Sequence, residues 1–497
     1  MAQRTSGWLL GLTATASLMV ALDATVVATA LTSIRQDLSA TMEQLEWTVN
    51  AYSLSFAVLL MTGAALGDRF GRRRMFVGGL GLFTAASAAC AVAPGIGWLI
   101  VARAVQGCGA ALVMPLAMAL LSNGFPPERR AKALGIFAGL TGLAVVAGPV
   151  VGGIVTQGLA WQWIFWLNVP FGLAVMPLVL RRIPESRGAG TSLDLGGVVL
   201  VTGGALGLVW GLIRAGSTGW DAPEVDGALV AGAVLLAGFV AWEHRVRQPM
   251  VPMRLLRSRG FSAGNAAALF MYASLYGSLF FMAQFLQTGL GDGPMAAGLH
   301  LMPWTATVTV VAPVAGALVN RVGARTLTVA GLALQAAGMG WIGLIAEPSA
   351  AYPQLIAPMV LAGAGVSMAM PAAQTSVINA VAPQEIGKAS GVFNTLRQFA
   401  AVFGVAILAA VFTTKGGYGT ARTFSDGFAP AIATSGALSL AGALAGLFVP
   451  GPNRMARTAP VPSVPRGSRS SFTGVGPAEA ILDFDEPPAR QQPTGQS

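Results

Sequence analysis

The feature that most constrains this chain is a succession of long apolar runs, each parted from the next by a short loop that carries most of the charge. They are Thr5 to Ile34, Leu45 to Leu66, Met75 to Pro94, Gly97 to Phe125, Ala131 to Gln157, Trp163 to Leu180, Leu195 to Ile213, Gly227 to Trp242, Phe261 to Leu290, Met295 to Val319, Leu327 to Ala346, Pro353 to Val381, Lys388 to Thr414 and Ala429 to Val449. A helix needs about 20 residues to cross a hydrocarbon core of about 30 Å. The runs therefore predict an all-α polytopic membrane protein with fourteen spans. With 10% charged and 54% hydrophobic residues, a soluble fold of 497 residues would lack the polar surface to cover itself. The first run holds Ala28 to Ala30, the spacing of a leader-peptide cleavage site, but it is too long for a leader and carries Asp23.

The net charge of +10 does not point to nucleic acid, because the basic residues are scattered over short loops with no interleaved aromatics. Cys90 and Cys108 lie inside apolar runs without metal-ligand spacing, so neither a disulfide, a metal site nor a cofactor is expected. Counting spans alternately, 24 of the 30 Lys and Arg fall on the side of the N-terminus and four on the other, with Arg103 and Arg397 inside spans. By the charge rule, both termini are expected in the cytoplasm.

Between the second and third runs stands Gly67-Asp68-Arg69-Phe70-Gly71-Arg72-Arg73-Arg74. It returns 252 positions later, where Leu66, Arg69, Gly71 and Arg73 become Leu318, Arg321, Gly323 and Arg325, with Asn320 in place of Asp68. A second register, at offset 256, repeats Gly107, Gly109, Met114, Pro115, Pro127 and Lys132 as Gly363, Gly365, Met370, Pro371, Pro383 and Lys388. Two related six-span halves follow, 1–190 and 246–452, with two extra spans at 191–245 and a tail at 453–497 whose Pro, Ser, Gly and Arg predict disorder. Halves repeated in one orientation place a substrate site between them at the midplane.

The basic loop resembles the signature of the major facilitator superfamily of transporters. Further resemblances are Arg103-Ala104-Val105-Gln106-Gly107 in the fourth span, Gly148-Pro149 followed by Gly152-Gly153 in the fifth, Leu22 to Val27 in the first, and Trp161 to Pro170 before the sixth. With the two extra spans these resemble the fourteen-span drug:proton antiporter family over about residues 7 to 450, although Ala28 and Thr32 depart from its first-span motif. The resemblance implies that Asp68, with Arg69 and Arg72, forms a conformational latch against the start of the thirteenth span near Lys388. It also implies that Arg103 serves proton coupling and that the fifth-span glycines and Pro149 form a close crossing of the exporter type.

Asp23 is read as the single acid within a span and hence as the proton carrier, with His300 as the fallback. At about 1.5 Å per residue, Asp23 and Arg103 come to similar depth, so contact between them is expected. By analogy with the superfamily fold, spans one, four, nine and twelve line the cavity. Their faces offer Met114, Met118, Asn265, Tyr272, Tyr276, Gln284, Met368 and Gln374, and Asn394 and Arg397 join them from the thirteenth span. Thioethers, rings and amides suit bulky hydrophobic or amphipathic organic compounds.

The expected function is a monomeric transporter in the bacterial cytoplasmic membrane that exchanges such compounds for protons. The alternatives are a proton-coupled carrier of a metabolite or nutrient, or a receptor that transports nothing. No nucleotide-binding loop, nucleophile–base pair or metal cluster suggests an enzyme.

Overall fold

In lipid every backbone polar group must find its partner within the chain, and apolar runs of this length do so as helices. The computed structural model describes residues 2–188, 194–246, 249–382 and 385–451, and contains no strand among them. The expected tail at 453–497 lies outside the described residues.

The helices are α1 (Ala2–Leu38), α2 (Met42–Phe70), α3 (Arg72–Ala91), α4 (Ile96–Gly124), α5 (Pro127–Gly158), α6 (Trp163–Trp166), α7 (Asn168–Arg182), α8 (Leu195–Thr218), α9 (Pro223–Glu243), α10 (Arg259–Gln284), α11 (Pro294–His300), α12 (Met302–Val322), α13 (Ala324–Ile345), α14 (Tyr352–Asn379), α15 (Ile386–Phe412) and α16 (Ala421–Gly446). The pairs α6–α7 and α11–α12 each make one span, and α10 runs on through a π-helical turn to Gly289. Among the described residues thirteen helices are long and apolar enough to cross a membrane, or fourteen when α5, bent by 40°, is counted as one span.

Local sequence sets the ends. Thr41 caps α2 reciprocally with Gln44, so the helix starts three residues before the apolar run does. Gly71 parts α2 from α3 at φ +109°, and Gly323 parts α12 from α13 at φ +94°, a conformation that side-chain-bearing residues rarely adopt. The repeat is thus visible in the backbone, and it extends to packing. A Cβ on Gly107 would lie 2.3 Å from the Tyr52 carbonyl, and one on Gly363 would lie 2.4 Å from that of Trp304, the residue 252 positions on. Gly109 meets Gly79 and Phe83, and Gly365 meets Gly331 and Gln335, in the same register. These glycines let α2, α3 and α4, and again α12, α13 and α14, approach backbone to backbone.

The helix α8 lies over the seam between α2 and α15, with Ala205, Val209 and Ile213 packed against Val58 and Val402. Trp242 on α9 donates to Asp194 at the start of α8 over 2.8 Å, which ties the extra pair together.

At the end away from the basic loops, called here the far end, the two bundles touch. Gln287 donates to the Thr29 carbonyl over 3.0 Å, and the Met295 N–H donates to Gln157 over 3.0 Å. Tyr418, in the turn after α15, donates to Gln284 and carries Arg35 4.1 Å above its ring. Burial raises the pKa of this phenol, so it stays a donor.

Candidate functional site

The structure brings Asp23 and Arg103 together in the interior of the first bundle, 3% and 1% exposed. Arg103 Nη1 donates to Asp23 Oδ2 and, over 2.7 Å, to Gln106 Oε1. Gln106 Nε2 closes the ring by donating to Asp23 Oδ1 over 2.8 Å, and Asn168 Nδ2 donates to the same oxygen over 3.1 Å. The carboxylate of α1 is therefore held by three donors from α4 and α7. The guanidinium is held as well: Nε donates to the Thr48 carbonyl over 3.2 Å, and the Tyr52 ring lies 4.2 Å from its carbon. Ser87 accepts from Asn168 over 3.0 Å and donates to the Phe165 carbonyl over 2.9 Å. A buried pair with its remaining hydrogen bonds made is stable as a pair, but removing one partner costs about 3–5 kcal/mol.

Gln106 and Asn168 stand within the quoted motifs, but the motifs alone assign neither them nor Tyr52, Thr48 or Ser87 to this network. The available signal was polar side chains inside apolar runs. Among the described residues the second bundle holds no such ion pair: Met359 and Ala362 stand at the positions repeating Arg103 and Gln106. Its buried polar cluster is neutral, with Ser274, Ser278, Ser435, Ser439 and Gln335 bonded to one another.

Thr25 and Thr29, just beyond Asp23 on α1, lie against the glycines of α5. A Cβ at Gly148 would come 1.9 Å from Thr25 Oγ1, and one at Gly152 would come 2.4 Å from Thr29 Oγ1. The opposite side of α5 meets the second bundle: a Cβ at Gly153 would come 2.3 Å from the Pro294 carbonyl, and one at Gly298 would come 2.4 Å from that of Pro149. One helix thus joins the carboxylate's helix to the contact between bundles.

Asp68 accepts from Arg72 Nε over 2.8 Å, and Arg69 lies over the Phe70 ring at 5.3 Å. The backbone N–H of Gly188 donates to the Asp68 carbonyl over 3.2 Å. The expected contact with the start of α15 is not made among the described residues, and Lys388 is exposed. The reason is local: Arg72 stands one turn on from Asp68 and takes the carboxylate first. The carboxylate that does cap a helix here is Glu185, which accepts from the N–H groups of Arg73 and Arg74 over 2.9 and 3.2 Å.

Asp23 is not the single acid within a span. Glu46, one turn into α2, is 2% exposed, and its Oε2 has no hydrogen-bond partner. It lines a cavity of about 220 Å³ between α2, α8 and Thr413. An unpaired buried acid costs stability, so Glu46→Gln is expected to leave the melting temperature in detergent equal or higher, and a fall in it would show that the carboxylate has a partner. His300 shares a 2.6 Å hydrogen bond between its Nδ1 and Asp292 Oδ2 and stacks on Tyr352, and it makes no hydrogen bond to the network among the described residues.

Of the residues expected along the cavity, Met118 and Gln374 are exposed, and Met114, Tyr276, Met368, Asn394 and Arg397 are half-buried. Two belong to packing instead. Gln284 is fully buried and taken by Tyr418 and the Phe280 carbonyl, and Asn265 is 3% exposed and donates to the Phe261 carbonyl. Both amides fold back on carbonyls of α10 itself, four residues earlier.

The sequence profile of the Major Facilitator Superfamily matches residues 13–405 and 264–482. The chain belongs to this superfamily. Among its relatives, the tetracenomycin C resistance and export protein of Streptomyces glaucescens is 37% identical, over 80% of this chain and 74% of that one. The cephamycin export protein CmcT of Amycolatopsis lactamdurans is 37% identical, over 80% and 84%. The multidrug resistance protein Stp of Mycobacterium tuberculosis is 34% identical, over 79% and 73%. Solved structures share the fold at low identity: a peptide transporter POT in complex with sulfate, with TM-score 0.66, 16% identity and cover of 91% and 95%, and the xylose transporter XylE of E. coli, with 0.57, 14%, 88% and 96%. This member of the superfamily is thus a multi-pass transporter, and the Asp23–Arg103 network lies in its first bundle.

Proposed function

We propose that this protein is a proton-coupled antiporter that exports bulky hydrophobic or amphipathic organic compounds across the bacterial cytoplasmic membrane by alternating access. It acts as a monomer, with both termini and the basic loops in the cytoplasm. The observation that carries the reading is the buried Asp23–Arg103 pair, confined to one bundle of a chain whose relatives are named for drug resistance and export.

A proton on Asp23 removes the charge that holds Arg103 and turns one acceptor oxygen into a donor. Arg103 keeps Thr48, Tyr52 and Gln106, so it stays with α2 and α4 while α1 is released. Movement of α1 carries Thr25 and Thr29 against Gly148 and Gly152, and α5 transmits it to Pro294 and Gly298 at the far-end contact. Protonation from outside would favour one arrangement of the bundles and deprotonation toward the cytoplasm the other, with substrate carried in the opposite sense. The test is uptake of a drug-like dye into everted vesicles: a pH gradient should drive it, and uptake indifferent to the gradient would exclude proton coupling.

In the same reading Asp68 stabilises one arrangement of the basic loop. Asp68→Asn should lower turnover while leaving substrate binding within about three-fold, the signature of a shifted conformational equilibrium. Normal transport at saturating substrate would remove Asp68 from the mechanism.

A further inference from the structure

Arg397 is the other arginine at bilayer depth, and it has no acid. It stands eleven residues into α15, so at about 1.5 Å per residue it lies roughly 16 Å from the basic end, near the middle of a core of about 30 Å. Among the described residues its guanidinium makes no ion pair, and its buried Nε has no acceptor. Of the acids within spans, Asp23 is taken by Arg103. Glu46 lies about 6 Å from the far end of α2, and Arg397 roughly 22 Å from the far end of α15, so the two are on different levels.

What Arg397 faces is aromatic. Its guanidinium carbon lies 5.8 Å from the centre of the Tyr272 ring, and both Tyr272 and Tyr276 are close enough to interact with it electrostatically. Tyr272 and Tyr276 stack on each other with centroids 6.2 Å apart, and Phe393 meets Tyr272 edge-on. Tyr276 is half-buried, so one side of the stack remains open. The Tyr272 hydroxyl accepts a hydrogen bond from the guanidinium, but phenols do not neutralise its charge, and an arginine without a counter-ion at this depth marks a place where a partner arrives.

We propose that Arg397 is the counter-charge for substrate, and that the exported compounds are planar aromatic molecules bearing an acidic group, a carboxylate or a comparably acidic oxygen. The proposal rests on the export reading and narrows its substrate class. The acid pairs with the guanidinium in the fork geometry that carboxylates share with arginine, and the ring system lies on the Tyr272–Tyr276 stack. An anion leaving the negatively charged interior also moves with the membrane potential, which adds to the drive for export.

The experiment compares binding of pyrenebutyrate and the uncharged pyrenebutanol to the purified full chain in nanodiscs, by fluorescence polarisation. The wild type should bind the acid at least about ten-fold more tightly than the alcohol, the size of one charge-assisted contact. Arg397→Gln should remove that preference by weakening the acid alone, and Arg397→Lys should restore part of it. Equal binding of acid and alcohol by the wild type overturns the proposal, as does an undiminished preference in Arg397→Gln. The wild-type comparison stands even if that variant does not fold. Gradient-driven dye uptake together with equal binding would retain export and discard only the acidic substrate class; a binding preference without any uptake would do the reverse.

Discussion

Asp23→Asn is expected to abolish uphill export. A gradient equivalent to about 100 mV supplies about 2.3 kcal/mol per proton, enough for a concentration ratio of roughly fifty-fold. With no carboxylate to carry the proton, and with the membrane potential collapsed so that only the pH gradient drives exchange, the ratio should fall to about one, while substrate binding and downhill exchange persist. The pair makes the control necessary: the neutral side chain leaves Arg103 unpaired in the first bundle, and the amide nitrogen must face either the donor of Arg103 or those of Gln106 and Asn168. That instability is about 3–5 kcal/mol for a broken buried pair. The double variant Asp23→Asn with Arg103→Gln removes both charges together, and should insert and bind while remaining uncoupled. Efflux that still follows the gradient in either variant would show that Asp23 only pins α1 to α4.

The depth count that joined Asp23 to Arg103 worked because helix rise is uniform, so position along a run converts directly to height in the membrane. Repeats read as letters also survived, because Gly71 and Gly323 are required by the same turn and Gly107 and Gly363 by the same crossing. Rotation about the helix axis was not legible. Gln284 sits on a span that lines the cavity and yet is used up by Tyr418, a residue more than a hundred positions away that only the folded chain brings near. Apolarity on every side of a buried span leaves no stripe from which to read its facing. Glu46 is a different case: it is the second residue of the run Leu45 to Leu66, and its place near the end of that run reads as a loop acid until the Thr41 cap sets the helix start at Met42. The partner of Asp68 was drawn from family resemblance, whereas Arg72, four residues on, was the nearer choice.

Gly153→Leu should trap the transporter with its far end open. The neighbouring Gly152 faces α1 within the first bundle, where a side chain would push on Val26 and Thr29. Gly153 faces the second bundle, and the atom in its way is the Pro294 carbonyl, which cannot swing aside as a side chain would. Overpacking at a tight contact costs about 1–3 kcal/mol, a factor of roughly five to 160 in the ratio of closed to open far ends. Because the contact exists only when the bundles touch there, the cost falls on that arrangement and not on folding of either bundle, so insertion should be normal and efflux lost. Thr32, whose hydroxyl is buried near the far end of α1, supplies the readout. With Cys90 and Cys108 replaced by Ala, a Thr32→Cys thiol should react with a membrane-impermeant maleimide from outside about ten-fold faster once Gly153→Leu is added, in keeping with the same shift of populations. Gly152→Leu should instead weaken proton coupling, through the displacement of α1 at Val26 and Thr29. Wild-type efflux in Gly153→Leu, or an unaltered labelling rate, would mean that α5 and α11 do not close the far end.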